Sequence, residues 1–182
     1  FKISPFKLYE SLRKINPSPY MYYLSFEDFH IVGSSPETLV KTENNKITIK
    51  PIAGTRLKQK RSNRELEKEL LSDPKERAEH LMLLDLGRND VGRVAKIGSI
   101  EVINPFSIQE TSNLIHIVST VEGELKQGED QISSLSAGFP AGTVSGAPKI
   151  RAMEIIDELE KEKRGIYAGA IGYFSANGDM DT

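Results

Sequence analysis

The chain contains no cysteine, which excludes disulfides and thiolate metal sites, and its three histidines, at positions 30, 80 and 116, do not make a zinc motif. No apolar run is long enough to cross a bilayer, and no secretory leader is visible. Neither sign of charge dominates. The 24 Lys and Arg against 26 Asp and Glu leave a net charge of −2, so nothing points to nucleic acid or an anionic membrane as partner. Internal repeats and low-complexity tracts are also missing. The lack of cysteine fits a cytoplasmic protein. What remains is ordinary globular material, 38% apolar and 27% charged over 182 residues, enough for one domain with a real core.

Local signals divide the chain into short elements. Ser4 and Pro5 start a helix that ends at Asn16 and Pro17. Positions 20–26 and 29–33 read as paired strands, and 38–41 with 46–50 as a second hairpin around Asn44 and Asn45. Positions 51–56 read as a loop, and 57–63 as a basic, solvated surface stretch. Ser62, with Glu65 three residues on, has the capping-box pattern for a helix over 62–71. Asp73 and Pro74 open a longer helix over 75–90. Two Ile- and Val-rich runs, 100–106 and 114–121, are strand-like. Short helices are expected over 130–137 and 148–161. Positions 166–174 read as a strand leading into a hairpin turn at Asn177, Gly178 and Asp179. Strands joined mostly by hairpins, interspersed with helices, predict an α+β fold of antiparallel β-sheets flanked by helices. The chain opens on Phe1 and stops two residues after the turn's partner strand begins at Met180, so both ends read as cut from a larger protein.

Several segments could carry chemistry. Gly142, Thr143, Ser145, Gly146 and Pro148 sit directly before an apolar-periodic run, the composition of a tight loop feeding a helix N-terminus. Such a loop offers backbone N–H groups to an anion. The glycine spacing does not fit a phosphate loop, so the open readings are a substrate carboxylate or an ordinary glycine-rich turn. Glu76 and Glu79, three apart at the start of a long helix, share a face. They suit either a hard cation such as Mg²⁺ or a solvated acidic helix start. The unbroken apolar run at 81–84 suggests that this helix is largely buried. Glu37 follows a glycine-serine-proline stretch; it is either a displayed general acid or a surface turn glutamate. His116, in a strand with Leu114 and Val118 on its own face, is either a proton handler or a satisfied core histidine.

The segments 33–37, 51–56, 76–92, 116–119, 139–151 and 167–173, in this order, resemble the chorismate-utilising enzymes, in particular the large subunit of anthranilate synthase. The likeness runs over nearly all of the chain, as one chorismate-binding catalytic domain over 1–182, incomplete at both termini. It implies the β-sandwich fold of that family and a lyase of tryptophan and aromatic amino acid biosynthesis. Such an enzyme binds chorismate with Mg²⁺, takes ammonia from a glutamine amidotransferase partner subunit, and releases anthranilate and pyruvate. By the same resemblance Glu37 is the general acid at the departing hydroxyl and His116 faces the ring carbon of pyruvate loss. Thr55, Thr143 and Tyr167 hold substrate groups, and Glu79 with Glu76 belongs to the Mg²⁺ site. All of these are expected around one shared cavity. Ala53 stands where some aminodeoxychorismate synthases of folate biosynthesis carry a nucleophilic lysine, which favours external ammonia. The alternatives are an aminodeoxychorismate synthase of another type and a non-catalytic chorismate-binding fragment. Leu57, Lys58 and Gln59, and the stretch 111–114, depart from the family pattern. The isolated chain is expected to have little or no synthase activity.

Overall fold

A computed structural model describes residues 2–58, 62–111 and 113–182. The centre of the basic stretch read at 57–63, and Ser112, lie outside the described residues. The chain begins with α1 (Pro5–Ile15) and a hairpin of β1 (Tyr20–Ser25) and β2 (His30–Ser35), paired from Tyr20↔Ser35 to Ser25↔His30. This hairpin is a two-stranded sheet of its own. No residue of α1 is buried; Phe6 and Ile15 of its expected apolar face stay largely exposed.

A larger antiparallel sheet follows. β3 (Lys41–Glu43) and β4 (Lys46–Ile49) turn at Asn44 and Asn45, with φ of 52° and 61°, the left-handed angles that asparagine tolerates and hairpin turns need. β5 (Ile52–Leu57) takes the place of the loop expected at 51–56. The glycine in this segment is accommodated as a bulge. Gly54 has φ of 67° between the pairs Ala53↔Ile117 and Thr55↔His116. After α2 (Asn63–Ser72) and α3 (Pro74–Val94) come the long strands β6 (Glu101–Glu110) and β7 (Leu114–Glu124). β7 is the spine of the sheet. One edge pairs with β6, while the other pairs first with β5 and then with β4.

α4 (Gln131–Gly138), the single turn α5 (Gly142–Ser145) and α6 (Lys149–Leu159) lead to the closing hairpin of β8 (Tyr173–Phe174) and β9 (Met180–Asp181). The strand expected over 166–174 shrinks to its last two residues. Gly165 and Ala168, with φ of 61° and 63°, turn the backbone before it can pair.

The helices start as their caps dictate. The Ser62 hydroxyl accepts from the Glu65 N–H while the Ser62 N–H donates to the Glu65 carboxylate, a complete capping box, and the Asp73 carboxylate accepts from the N–H groups of Lys75 and Glu76. α3 is not buried all round. Leu83, Leu84, Gly87, Asp90, Val91 and Val94 turn inward, whereas Leu81 and Met82 are about half exposed. That inward stripe packs on the sheet through Ile47, Ile49 and Val121, and a second cluster joins Leu66 and Leu70 of α2 to Ile115 and Ile117 of β7. The residues of β7 therefore alternate. Ile115, Ile117 and Ser119 face the helices, and His116 faces the other way, beside Thr55.

His80 is fully buried in this helix–sheet contact, its Nε2 2.6 Å from Ser119 Oγ and its ring edge-on to Phe106. Desolvation lowers its pKa from 6.5 to about 4, so it is neutral in the folded protein. The unfolded chain binds the extra proton, so the stabilising effect is complete above pH 6.5 and is lost as pH falls towards 4. His116, depressed by the same cause, acts with the same sign. Urea unfolding as a function of pH should show stability falling by about 3 kcal/mol across that window, with His80→Gln removing most of the slope. A flat profile between pH 6.5 and 5 contradicts the burial of a neutral His80.

Candidate active site

The stretch between β2 and β3 carries Glu37. Its N–H donates to Ser35 Oγ at 3.3 Å, and Leu39 is tied by its N–H to the carbonyl of Thr182 at 2.8 Å. The Glu37 side chain is half-buried, and desolvation pushes its pKa above the ordinary carboxylate value. It lies where two cavities meet. The first, about 220 Å³, runs between Ile49 and Pro51 of the sheet, Leu83, Leu86, Gly87 and Asp90 of α3, and the segment 141–144. Thr143 lines this cavity with Glu37. The second, about 910 Å³ and mostly apolar, separates the β1–β2 hairpin from 166–173 and is lined by both Glu37 and Tyr167.

The wall that carries Thr143 is anchored from behind. Lys149, at the first turn of α6, is buried; its Nζ donates to Asp90 Oδ2 at 2.7 Å and to the Gly138 carbonyl at 2.9 Å. Burial raises the Asp90 pKa, opposed first by Lys149 and then by Arg93. Gly142 lets the turn approach α3, since a Cβ there would sit 2.3 Å from Leu86 Cδ2. The turn uses most of its own donors. The N–H groups of Val144 and Ser145 donate to the Ala141 carbonyl and that of Gly146 to the Gly142 carbonyl, so the segment is less of an anion cradle than its composition suggests. Pro148 precedes α6 as its N-cap, one position earlier than expected.

The other expected site residues stand elsewhere. Thr55 Oγ1 lies 3.1 Å from His116 Nδ1, and the buried His116 Nε2 has no hydrogen-bond partner among the described residues. His116 is held neutral, its pKa lowered by desolvation, which outweighs the opposing pull of the Gly54 backbone as a hydrogen-bond acceptor for the protonated ring. Strand alternation puts this pair on the face of β7 away from α3, and neither residue lines either cavity. Glu76 Oε1 accepts from Arg56 Nη1 at 2.9 Å, within a network in which the guanidinium also binds Glu69 and Asp73. Glu79, one turn further along α3, is exposed and has no ion pair among the described residues. Tyr167 is exposed, with the Arg164 guanidinium 5.4 Å from its ring centre. Of the expected site residues, Glu37 and Thr143 line the first cavity and Glu37 and Tyr167 the second, while His116, Thr55, Glu76 and Glu79 line neither.

Sequence reasoning did not find the Lys149–Asp90 pair. The available signal was helical spacing. Asp90 falls on the inward stripe set by Leu83, Gly87 and Val94, where a carboxylate needs a buried counter-charge.

A family model described as chorismate binding enzyme matches residues 1–182. The chain belongs to the chorismate binding enzyme family. This family member is 61% identical over 183 residues to anthranilate synthase component 1 of Cereibacter sphaeroides, an alignment that covers all of this chain and 37% of that relative. The crystal structure of anthranilate synthase component I from Streptococcus pneumoniae superposes with a TM-score of 0.91 at 49% identity, over 100% of this chain and 40% of that one. The menaquinone-specific isochorismate synthase of Escherichia coli shares the fold, with a TM-score of 0.76 at 22% identity over 87% of this chain and 37% of that one. The chain thus spans just over a third of the length of the curated relative it matches.

The buried pair yields a stability test. Lys149→Met strands the Asp90 carboxylate in the interior and should cost about 3–5 kcal/mol in denaturant unfolding, whereas Asp90→Leu with Lys149→Met should return to within about 1–2 kcal/mol of wild type. Equal losses for the single and double variants contradict a buried, mutually dependent pair.

Proposed function

We propose that this chain is the chorismate-handling segment of an anthranilate synthase component 1, whose complete form converts chorismate and ammonia to anthranilate, pyruvate and one water. The observation that carries the reading is Glu37, a half-buried carboxyl with a raised pKa, set across a small cavity from Thr143. A carboxyl that keeps its proton towards neutral pH can donate it to a departing hydroxyl, as general acid catalysis requires. The Thr143 hydroxyl, on a wall fixed by Lys149, is placed to hold a substrate oxygen, and Tyr167 borders the adjoining space. The 61% identity to a relative named anthranilate synthase component 1 supports the choice of reaction. Ala53 supports it further: its buried methyl offers no nucleophile, so the amine has to arrive as ammonia, supplied by a glutamine amidotransferase partner. The same reading puts the protein in the cytoplasm; among the described residues, no helix is long and apolar enough to cross a membrane.

His116, neutral and with one ring nitrogen unpartnered among the described residues, has the chemistry to exchange a proton during pyruvate loss, with Thr55 fixing its ring. That role rests on the resemblance and not on the cavity. For Mg²⁺, Glu79 fits and Glu76 does not. Glu79 is a hard oxygen donor with no ion pair among the described residues, of the kind that shares a magnesium ion with water and substrate, whereas Glu76 is neutralised by Arg56. When bound, the ion would supply charge neutralisation for a substrate carboxylate.

In the full-length enzyme, Glu37→Gln should lower anthranilate formation from chorismate and ammonium by on the order of 100-fold or more, followed by product fluorescence. Loss of less than a few-fold overturns the role of Glu37. Accumulation of a 4-amino-4-deoxy product by the unmodified enzyme overturns the reaction.

A further inference from the structure

The two-stranded β1–β2 sheet is not hydrogen-bonded as a strand to the main sheet, yet Glu37 lies on the link between them. One side chain bridges the gap. The Tyr20 hydroxyl lies 2.6 Å from Thr38 Oγ1 and donates to Asp181 Oδ1 at 2.8 Å. A phenol has a single proton; with that proton on Asp181, Tyr20 accepts from Thr38. The same residue pairs in strand register with Ser35, whose hydroxyl accepts from the Glu37 N–H. Tyr20 therefore grips the short strap on both sides of Glu37, through the backbone at Ser35 and through its hydroxyl at Thr38. Asp181, the far end of the bridge, belongs to β9. The next residue, Thr182, fixes Leu39 and Val40 by backbone bonds of 2.8 and 3.0 Å.

We propose that Tyr20 is a positioning residue for Glu37, its hydroxyl bolting the strap to β9 so that the carboxyl stays at the junction of the two cavities. Without the bridge, the strap between Ser35 and Leu39 has no side-chain hydrogen bond to the main sheet among the described residues, and the carboxyl is free to swing into water. The titratable groups facing Glu37 are Lys50 and Asp90 across the first cavity and Tyr22, Tyr167, Tyr173 and Asp181 around the second. Tyr20→Phe removes no charged group but takes a donor from Asp181, whereas Thr38→Val leaves the Tyr20–Asp181 bond in place, so a change in the titration of Glu37 common to both variants reports its placement. The catalytic consequence rests on the reading of Glu37 as general acid; the positioning does not.

The test is carboxyl ¹³C NMR titration of Glu37 in this chain. In the unmodified protein Glu37 should titrate above the ordinary carboxylate midpoint. Tyr20→Phe should bring that midpoint down towards the ordinary carboxylate value as the group regains water. Tyr23→Phe removes a hydroxyl from the same strand, one that meets His30 Nδ1 at 3.3 Å, and should leave Glu37 as it was. If Tyr20→Phe does not fold, Thr38→Val removes the same hydrogen bond from the other side and should give the same shift. An unmoved Glu37 titration in a folded Tyr20→Phe or Thr38→Val protein overturns the proposal. In the full-length enzyme, Tyr20→Phe should move the alkaline limb of the kcat profile to lower pH while KM changes less than kcat. A shift by NMR with no change in that limb leaves the positioning intact and refutes the acid role of Glu37 instead.

Discussion

The contact between Lys149 and Asp90 is the constraint on which the candidate site depends. Two opposite charges, both almost removed from water, are held 2.7 Å apart, and the ammonium also satisfies the Gly138 carbonyl. Desolvating either charge alone is costly, so each is tolerable only in the presence of the other. One partner lies near the C-terminal end of α3, the other at the start of α6, 59 residues later. The pair therefore clamps the irregular crossing between α4 and α6 onto α3. That crossing carries Thr143, and its distance from the helix sets the width of the cavity that Glu37 enters. An apolar contact could supply similar stability, but it would not demand a single arrangement of donor and acceptors.

The second organising feature is the division of polar groups between the faces of the large sheet. On the helix face, His80, Ser119, Asp90 and Lys149 are paired inside the core. On the other, His116 and Thr55 form an isolated pair on β7 and β5. Desolvation acts on both faces, with opposite effects on an acid and a base. It raises the pKa of Glu37 and lowers that of His116, and in each case the neutral form gains. Near neutral pH the fold thus holds a carboxyl biased towards keeping its proton and an imidazole biased towards losing it. That is the pairing of properties acid–base chemistry uses, although in this chain the two groups sit on different faces.

Much of the fold was legible in residue order because its signals are local. The Ser62 and Glu65 capping box, the Asp73 cap before Pro74, and the Asn44 and Asn45 turn each depend on a few neighbouring residues and form as read. The misread segments are those where glycine has two meanings. Positions 51–56 read as a loop, yet the one left-handed residue there, Gly54, fits inside a strand as a bulge when both flanks find β7. Gly165, with Ala168, has the opposite effect and breaks an otherwise strand-like run. The site was less legible. Alternation along β7 correctly grouped His116 with Leu114 and Val118, but it cannot say which face borders a cavity. Nor does local sequence link Tyr20 to Asp181, which are 161 residues apart.

Amide hydrogen exchange in the Asp90→Leu, Lys149→Met double variant tests the central claim most directly, because it removes the clamp without leaving a buried charge. The account predicts that the N–H groups of Val144, Ser145 and Gly146 exchange at least tenfold faster than in wild type, while those of Ile115 and Ile117 in the core of β7 keep their protection. Unchanged protection at 144–146, or a loss spread evenly over both regions, would contradict it.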